Sequence, residues 1–189
     1  MRPLHGFFCL ALLISLAGCG STPQSNYYLL NSPVSTLPVG AEPSLGIGPI
    51  TMPEYLNRNS MVFLSSDNEL EIASFERWAE PLGDGIQRVL AMNLAGMLDT
   101  QNVRACPWAR SRAPAYAVRL RIVGLDAGRG KASLVSEWVL LSGAAPGTEI
   151  TRRLSRMDAS LPGEQPRGDA VASAYSDLLY QLSEEIAGA

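Results

Sequence analysis

The segment YAVRLRIVGLDAGRGKASLVSEWVLLS, residues 116–142, decides the fold. Arg119 and Arg121 alternate with apolar residues in its first half, and alternate side chains of a β-strand lie on opposite faces of the sheet. The Gly-Arg-Gly sequence at 128–130 interrupts the apolar pattern and indicates a turn. The segment therefore predicts two strands joined by a turn, 116–126 and 131–142, with a third strand at 149–160 after a second glycine-containing turn.

Shorter strands are predicted on the N-terminal side of this segment. Their apolar runs are bounded by Pro, Gly, Ser and Asn, which favour turns and loops. We expect a strand at 27–31, a strand at 45–50, and a hairpin formed by 61–65 and 69–73.

Two amphipathic stretches predict helices. One is opened by Pro81, whose missing N–H falls where a helix has no partner for it, and runs to about residue 100. The other covers 169–187, where Asp169 can cap the first turn. Asn93 lies on the apolar stripe of the first helix; we expect its amide to bind the backbone of a neighbouring loop, or to lie at the edge of the stripe near water. This order of elements indicates an α/β domain with a mixed sheet covered by two helices.

Composition excludes most catalytic chemistry. The chain has 189 residues, 47% of them hydrophobic and 17% charged, which suits one globular domain. Its single histidine, His5, lies in an N-terminal segment that we expect to be removed. A Ser-His-Asp triad, a Cys-His pair and a histidine-ligated zinc site are thereby excluded from the mature chain. A hydrolase that uses a carboxylate pair such as Glu54 and Glu80 passes this test, although no motif supports it.

The N-terminal residues resemble a bacterial lipoprotein signal. Arg2 precedes an apolar stretch at 7–17, which is shorter than the roughly 20 residues of a bilayer-spanning helix. The sequence Leu-Ala-Gly-Cys at 16–19 then matches the lipobox, in which the cysteine thiol receives a diacylglyceryl group. The alternative is an ordinary signal peptide followed by a chance cysteine. We expect a signal peptide at 1–18, lipidation of Cys19, a tether at 19–26 and a single domain at 27–189.

Lipidation predicts where the protein lies in the cell. Two or more acyl chains anchor a protein stably. Gly20 follows the cysteine at the position where retention in the inner membrane often uses Asp, so we expect the outer membrane, with the domain facing the periplasm. The seven tether residues after Cys19, 20–26, reach at most about 25 Å, which holds the domain near the bilayer. This compartment excludes nucleic acid as a partner.

Cys106 is the one remaining cysteine of the mature chain. One interpretation is a small buried hydrophobic residue. The other is an intermolecular disulfide in an oxidising compartment.

Charge is distributed unevenly along the mature chain. Residues 104–156 carry ten positive and three negative side chains, a net charge of +7, whereas 19–103 carry −6 and 157–189 carry −5. Nine of the ten positive residues are Arg, which favours planar contacts with carboxylate or phosphate. These arginines, Arg119 and Arg121 among them, either pair with acidic residues of the two helices or present a docking surface to an acidic protein or to anionic lipid head groups.

Two loops have a composition that folding alone does not explain. The first, at 48–58, is stiffened by Pro49 and Pro53 and contains Glu54, Tyr55, Leu56 and Arg58; the second, at 76–82, contains Arg77, Trp78 and Glu80. Aromatic and Arg residues on loops stiffened by proline are typical anchors of protein contacts. The alternative is a cluster that stabilises the fold, in which Arg58 or Arg77 bridges Glu54, Glu76 or Glu80 while Trp78 and Tyr55 cover the sheet edge.

These loops also carry a resemblance. The runs IGPITMPEYLNRNSMV at 47–62 and NELEIASFERWAEPLGDGIQRVLAMNL at 68–94 resemble the PqiC (YmbA) family of lipoproteins, auxiliary components of ABC-type transport and MCE-protein systems. The likeness extends over about 27–138. It also includes the sequence YYLL at 27–30, the pair Pro107-Trp108 and the sequence SEWVL at 136–140. Where the family usually has Asp before Arg58 and Pro-Gln after it, this chain has Asn57 and Asn59-Ser60.

The resemblance implies both a fold and a role. The implied fold is a three-layer α/β structure with a mixed sheet of about five strands, similar to the N-terminal domain of TolB and to anticodon-binding domains. The implied role is that of a non-enzymatic, outer-membrane-anchored partner of a periplasm-spanning MCE protein in intermembrane lipid transport, which supports membrane integrity. It involves no catalytic residue, metal or cofactor, and it leaves a homo-oligomer open. The alternative is a lipid carrier or chaperone with its own apolar cavity, which bulky residues such as Trp138 and Tyr175 would instead fill.

Overall fold

The structure, a computed structural model, describes residues 23–143, 147–163 and 165–189. Eight strands and two helices lie in these residues, together with short 3-10 turns at Glu54–Leu56 and Arg110–Arg112. In chain order the elements are β1 (Asn26–Tyr28), β2 (Leu45–Thr51), β3 (Ser60–Ser66), β4 (Glu69–Trp78), α1 (Leu82–Met97), β5 (Val103–Ala105), β6 (Tyr116–Gly128), β7 (Lys131–Ser142), β8 (Thr148–Ser160) and α2 (Gly168–Ala187).

Five strands form a mixed sheet in the order β5-β2-β6-β7-β8. β2 is parallel to both of its neighbours, while β6, β7 and β8 form an antiparallel meander. This confirms the α/β prediction and the three long strands of the C-terminal half. The three-residue strand β5 has too little apolar sequence to be recognised and was not predicted.

A second sheet of three strands has the order β1-β4-β3. The predicted hairpin is confirmed in β3 and β4, but β4 continues to Trp78. It continues because β1 pairs in parallel with its last residues, Asn26 with Glu76 and Tyr28 with Trp78. The strand predicted at 27–31 therefore joins the small sheet and ends at Tyr28.

Both helices pack against the inner face of the five-stranded sheet and against each other. Pro81 is the N-cap of α1, as its position predicted. The capping role predicted for Asp169 is wrong, because Arg167 is the N-cap of α2 and no side chain caps that end. The Asp169 carboxylate instead accepts hydrogen bonds from the Arg167 guanidinium at 3.2 and 2.9 Å.

Asn93 lies fully buried between the helices. Its Oδ1 accepts a hydrogen bond from Ser32 Oγ at 2.6 Å, and its Nδ2 donates to Ser183 Oγ at 3.2 Å. The predicted bonds to loop backbone are therefore wrong, since two hydroxyl groups satisfy the amide. These bonds tie the segment after β1 to both helices.

Candidate functional site on the outer face of the five-stranded sheet

The face of the sheet opposite the helices carries a small apolar cluster of its own. Ala117, Val139 and Leu141 are buried there beneath Trp108, apart from the main core. Trp108 belongs to the segment between β5 and β6, which crosses this face. Its ring lies directly over β2, since a Cβ added at Gly46 would meet the ring at 2.5 Å. Only glycine at position 46 allows this contact, so the sequence builds a fixed aromatic surface on the outer face.

Ion pairs continue the same face across β6, β7 and β8. The two Glu137 oxygens accept hydrogen bonds from Arg121 on one side and Arg152 on the other, and Arg152 Nη2 also reaches Glu149 Oε2 at 2.8 Å. Hydrogen bonds from both guanidinium groups lower the pKa of Glu137, and that from Arg152 lowers the pKa of Glu149. The same carboxylates raise the pKa of Arg152, so the network is ionised at neutral pH.

The arginines of the basic half do not pair mainly with the helices, as one of the two interpretations supposed. Among the ion pairs that this half forms within the described residues, that of Arg153 with Glu185, at 3.6 Å, involves a helix. The others have partners in strands or turns, such as Asp67 for Arg129 and Asp158 for Arg156. The reason is geometric, because arginines on the outer face point away from both helices.

Two adjoining hollows lie between the apolar cluster and the ion pairs. The first, of about 210 Å³, is lined by Trp108, Pro114 and Leu141 among others, and the second, of about 290 Å³, by Arg121, Glu137 and Arg152. Pro49, Arg119 and Leu141 line both hollows. We call this continuous depression, with its apolar and ionic ends, the outer-face groove.

The loop before β3 is held by Tyr55. Its hydroxyl donates to Asp126 Oδ1 at 2.9 Å, and burial together with this bond raises the pKa of Tyr55 to about 12. Leu56 is buried in the core, whereas Glu54 and Arg58 on the same loop are exposed. Of the four candidate residues on this loop, Glu54 and Arg58 are therefore the two whose side chains are exposed to a partner.

The residues at 76–82, before α1, make contacts within the fold. Trp78 is 6% exposed and stacks on Tyr175 of α2. Arg77 donates to Ser25 Oγ at 3.3 Å, and Glu80 pairs with Arg88 at 2.5 Å. The bridges from Arg58 or Arg77 to Glu54, Glu76 or Glu80, which the alternative interpretation supposed, are not formed within the described residues. Glu80 instead pairs with Arg88 of α1.

Cys106 lies half-buried at the apolar end of the outer-face groove. Its backbone N–H donates to the Ile47 carbonyl at 2.9 Å, which pairs β5 with β2. The thiol is free in the part of the chain that the structure describes.

An apolar crevice at the ends of the helices bears on the carrier interpretation. It measures about 140 Å³ and is lined by Leu94, Leu98, Tyr116, Leu140 and Ile186, among other residues. Ligand pockets usually measure roughly 300 to 1,000 Å³. Trp138, Tyr175 and Leu179 fill the space between sheet and helices, as their bulk predicted.

Two of the expectations concern anchoring and metals. Cys19 and the signal segment lie outside the described residues. No helix in the described ranges has the length and apolar character needed to cross a membrane. Nor do those ranges contain a grouping of three His, Cys, Asp or Glu residues able to hold a metal ion.

The outer-face groove was only partly accessible from the sequence. Arg119 and Arg121 were recognised by their alternation, and the structure brings them to one face with Pro49. Glu137, Arg152 and the role of Trp108 were missed. The run of residues 100–125, which contains Trp108, five arginines and no acidic residue, is the signal that could have drawn attention to the segment of Trp108.

The fold and this surface define a small α/β domain with a charged outer sheet face. Residues 27–187 match the family described as the ABC-type transport auxiliary lipoprotein component, and the chain belongs to that family. It is 35% identical over 88 residues to the intermembrane transport lipoprotein PqiC of Escherichia coli (strain K12), and equally to PqiC of Shigella flexneri. These matches cover 44% of this chain and 46% of each relative, so the chain spans about half the length of the curated relatives it matches.

Two solved structures share the fold. A crystal structure of an uncharacterised protein has a TM-score of 0.68 at 20% identity, covering 88% of this chain and 98% of that one. Protein XCC0632 from Xanthomonas campestris has a TM-score of 0.63 at 14% identity, covering 87% and 93% respectively. At these identities the likeness shows the arrangement of sheet and helices alone.

Proposed function

We propose that this protein is an outer-membrane-anchored, non-enzymatic lipoprotein subunit of a Pqi-like intermembrane lipid transport system. The family match over residues 27–187 carries the proposal. The lipobox ending at Cys19 supports an anchor, and the PqiC relatives are intermembrane transport lipoproteins by name. In this role the domain docks a periplasm-spanning MCE protein close to the outer membrane and so supports envelope integrity.

Exposed polar groups form the surface available for docking. On the outer face these include Arg119 and Arg121, and on the loop before β3 they are Glu54 and Arg58. Tyr55 is half-buried, Leu56 and Trp78 are buried, and Arg77 and Glu80 are bound within the fold. The second group therefore holds the fold together and is not presented to a partner. The 140 Å³ crevice gives the carrier interpretation no comparable support.

Co-purification from native membranes tests the proposal. The full-length chain, with an affinity tag at its C-terminus, is extracted in mild detergent and its companions are identified by mass spectrometry. An MCE-domain protein enriched over the same preparation from Cys19→Ser cells is the expected result. Absence of any MCE protein from the native preparation would contradict the docking role.

A further inference from the structure

The outer-face groove combines an apolar end with exposed arginines next to it in the chain. Trp108 and Leu141 line the apolar end, and the 3-10 turn Arg110–Arg112 lies in the chain between two of its lining residues, Trp108 and Ala113. Arg110 and Arg112 are exposed, and within the described ranges neither forms an ion pair. Unlike Arg121 and Arg152, which pair with Glu137, these two guanidinium groups have no carboxylate partner in the part of the chain that the structure describes.

We propose that the groove binds an extended, acidic segment of the transport partner. An apolar side chain of that segment rests against Trp108, and its carboxylates face Arg110 and Arg112. The assignment rests on the proposed function and names the chemistry of the docking site. Charge complementarity supports it, since residues 104–156 carry a net charge of +7.

The dimensions of the groove favour a peptide. Its two hollows, of about 210 and 290 Å³, are open to solvent along the sheet, whereas small-molecule pockets bury most of the surface of their ligand. They adjoin at Pro49, Arg119 and Leu141, so neighbouring side chains of one extended segment can occupy both.

The position of the groove favours a periplasmic partner over the bilayer. The N-terminal tether leads into β1, where Tyr28 touches the first residue of α2, Gly168. Ala117 and Leu141, at the apolar end of the groove, directly follow Tyr116 and Leu140, which share a crevice with Ile186 in the last turn of α2. A helix of 20 residues is about 30 Å long. The groove therefore lies at the end of the domain remote from the tether.

Site-specific photocrosslinking in living cells tests this assignment. The photoreactive amino acid p-benzoylphenylalanine is placed in the full-length chain at Ala113 on the apolar wall, and separately at Thr51 at the ionic end. A third chain carries it at Leu37, which is 74% exposed in the segment beside α1. Adducts are digested, and the crosslinked peptide is sequenced by mass spectrometry.

The expected result is a protein adduct from Ala113 or Thr51, through a partner peptide of net negative charge that contains an apolar residue, and no such adduct from Leu37. Arg110→Glu with Arg112→Glu should reduce its yield at least tenfold. Arg129→Glu with Lys131→Glu, the same change of charge at the β6–β7 turn, should leave the yield within twofold. Melting curves of each purified variant show that the fold is kept.

Several outcomes would overturn the assignment. They are an adduct to lipid alone, an adduct to a second copy of the chain, a partner peptide without acidic residues, a yield unchanged by the Arg110 and Arg112 reversals, or no adduct at either position. If an MCE protein still co-purifies while the groove gives no adduct, the groove assignment fails and the docking role stands. If no MCE protein co-purifies, the docking role itself fails.

Discussion

The indole ring of Trp78 stacks on the phenol ring of Tyr175, with the ring centroids 6.0 Å apart and the planes inclined by 22°. Trp78 is the last residue of β4 in the small sheet, and Tyr175 lies in α2. The Tyr175 hydroxyl in turn donates to the Leu125 carbonyl of β6 at 3.2 Å. One aromatic pair thus joins the small sheet to α2 and, through it, to the five-stranded sheet. Burial raises the pKa of Tyr175 well above its ordinary value, so this hydroxyl stays protonated as a donor.

Replacing Trp78 tests whether this pair stabilises the fold. Trp78→Ala removes a side chain that is 6% exposed, and such a truncation costs about 3 to 5 kcal/mol. Chemical unfolding of the soluble domain followed by circular dichroism measures the loss. Tyr27→Ala, at a position 65% exposed in β1, is the matched control and should change stability little. A free energy of unfolding unchanged in Trp78→Ala would contradict this structural role and leave Trp78 available as a partner anchor.

Replacing each of two buried serines by alanine should have opposite effects on stability. Ser136 Oγ is buried and has no hydrogen-bond partner within the described residues, and a buried unsatisfied polar group costs about 1 to 3 kcal/mol. Ser136→Ala should therefore leave stability unchanged or raise it by about 1 kcal/mol. Ser183→Ala should lower it, because Ser183 accepts from Asn93 and donates to the Leu179 carbonyl at 2.7 Å. Equal destabilisation of the two variants in urea would contradict this account of the core.

The antiparallel meander was predictable because its apolar residues alternate with polar ones and glycines mark its first turn. The pairing of Arg121 with Glu137 was not. Counting back from the turn, where Gly128 pairs with Lys131, places Arg121 opposite Trp138. A register shift between Ile122 and Gly124 moves the pairing by one residue, which brings Glu137 opposite Arg121.

Long-range contacts explain the other differences. The small sheet depends on parallel pairing between β1 and β4, which lie some 50 residues apart in sequence, and no local pattern encodes that pairing. The hydroxyl partners of Asn93 come from Ser32 and Ser183, which only packing brings together. The apolar end of the groove depends on a segment folding back over Gly46, which sequence spacing alone does not reveal.

The ion-pair network predicts a pH dependence of stability. Arg121 and Arg152 hold the pKa of Glu137 below its ordinary value of 4.5, so the folded state binds this proton less readily than the unfolded state does. The ionised carboxylate therefore stabilises the fold above about pH 4.5, and its contribution is lost as pH falls through the lowered pKa. Glu137→Gln should melt below the wild type at pH 7, and the difference should shrink towards pH 3.

A matched change separates this effect from a general charge effect. Glu184→Gln removes an exposed carboxylate of α2 for which the described residues show no ion pair. Its melting point should follow the wild type across the same pH range. A difference between Glu137→Gln and wild type that stays constant from pH 7 to pH 3 would rule out the network as its source.

Cys19 carries the predicted anchor. Cys19→Ser removes the thiol that receives the diacylglyceryl group, so palmitate labelling should disappear and the protein should leave the membrane fraction. In the native chain, sucrose-gradient fractionation should place the protein with the outer membrane, since Gly20 is not a retention residue. Unchanged labelling of Cys19→Ser would contradict lipidation, and recovery chiefly with the inner membrane would contradict the localisation.

Equilibrium binding between the purified lipidated chain and the MCE protein of the same cell tests the docking role most directly. Exposed charges are screened beyond about 8 Å at physiological salt, so docking through the arginine-bearing face should be saturable at low ionic strength and weaken at least tenfold at high ionic strength. Arg119→Ser with Arg121→Ser should weaken it at low salt and reduce its salt dependence. No saturable binding at low ionic strength, with both proteins folded, would contradict the role proposed for this protein.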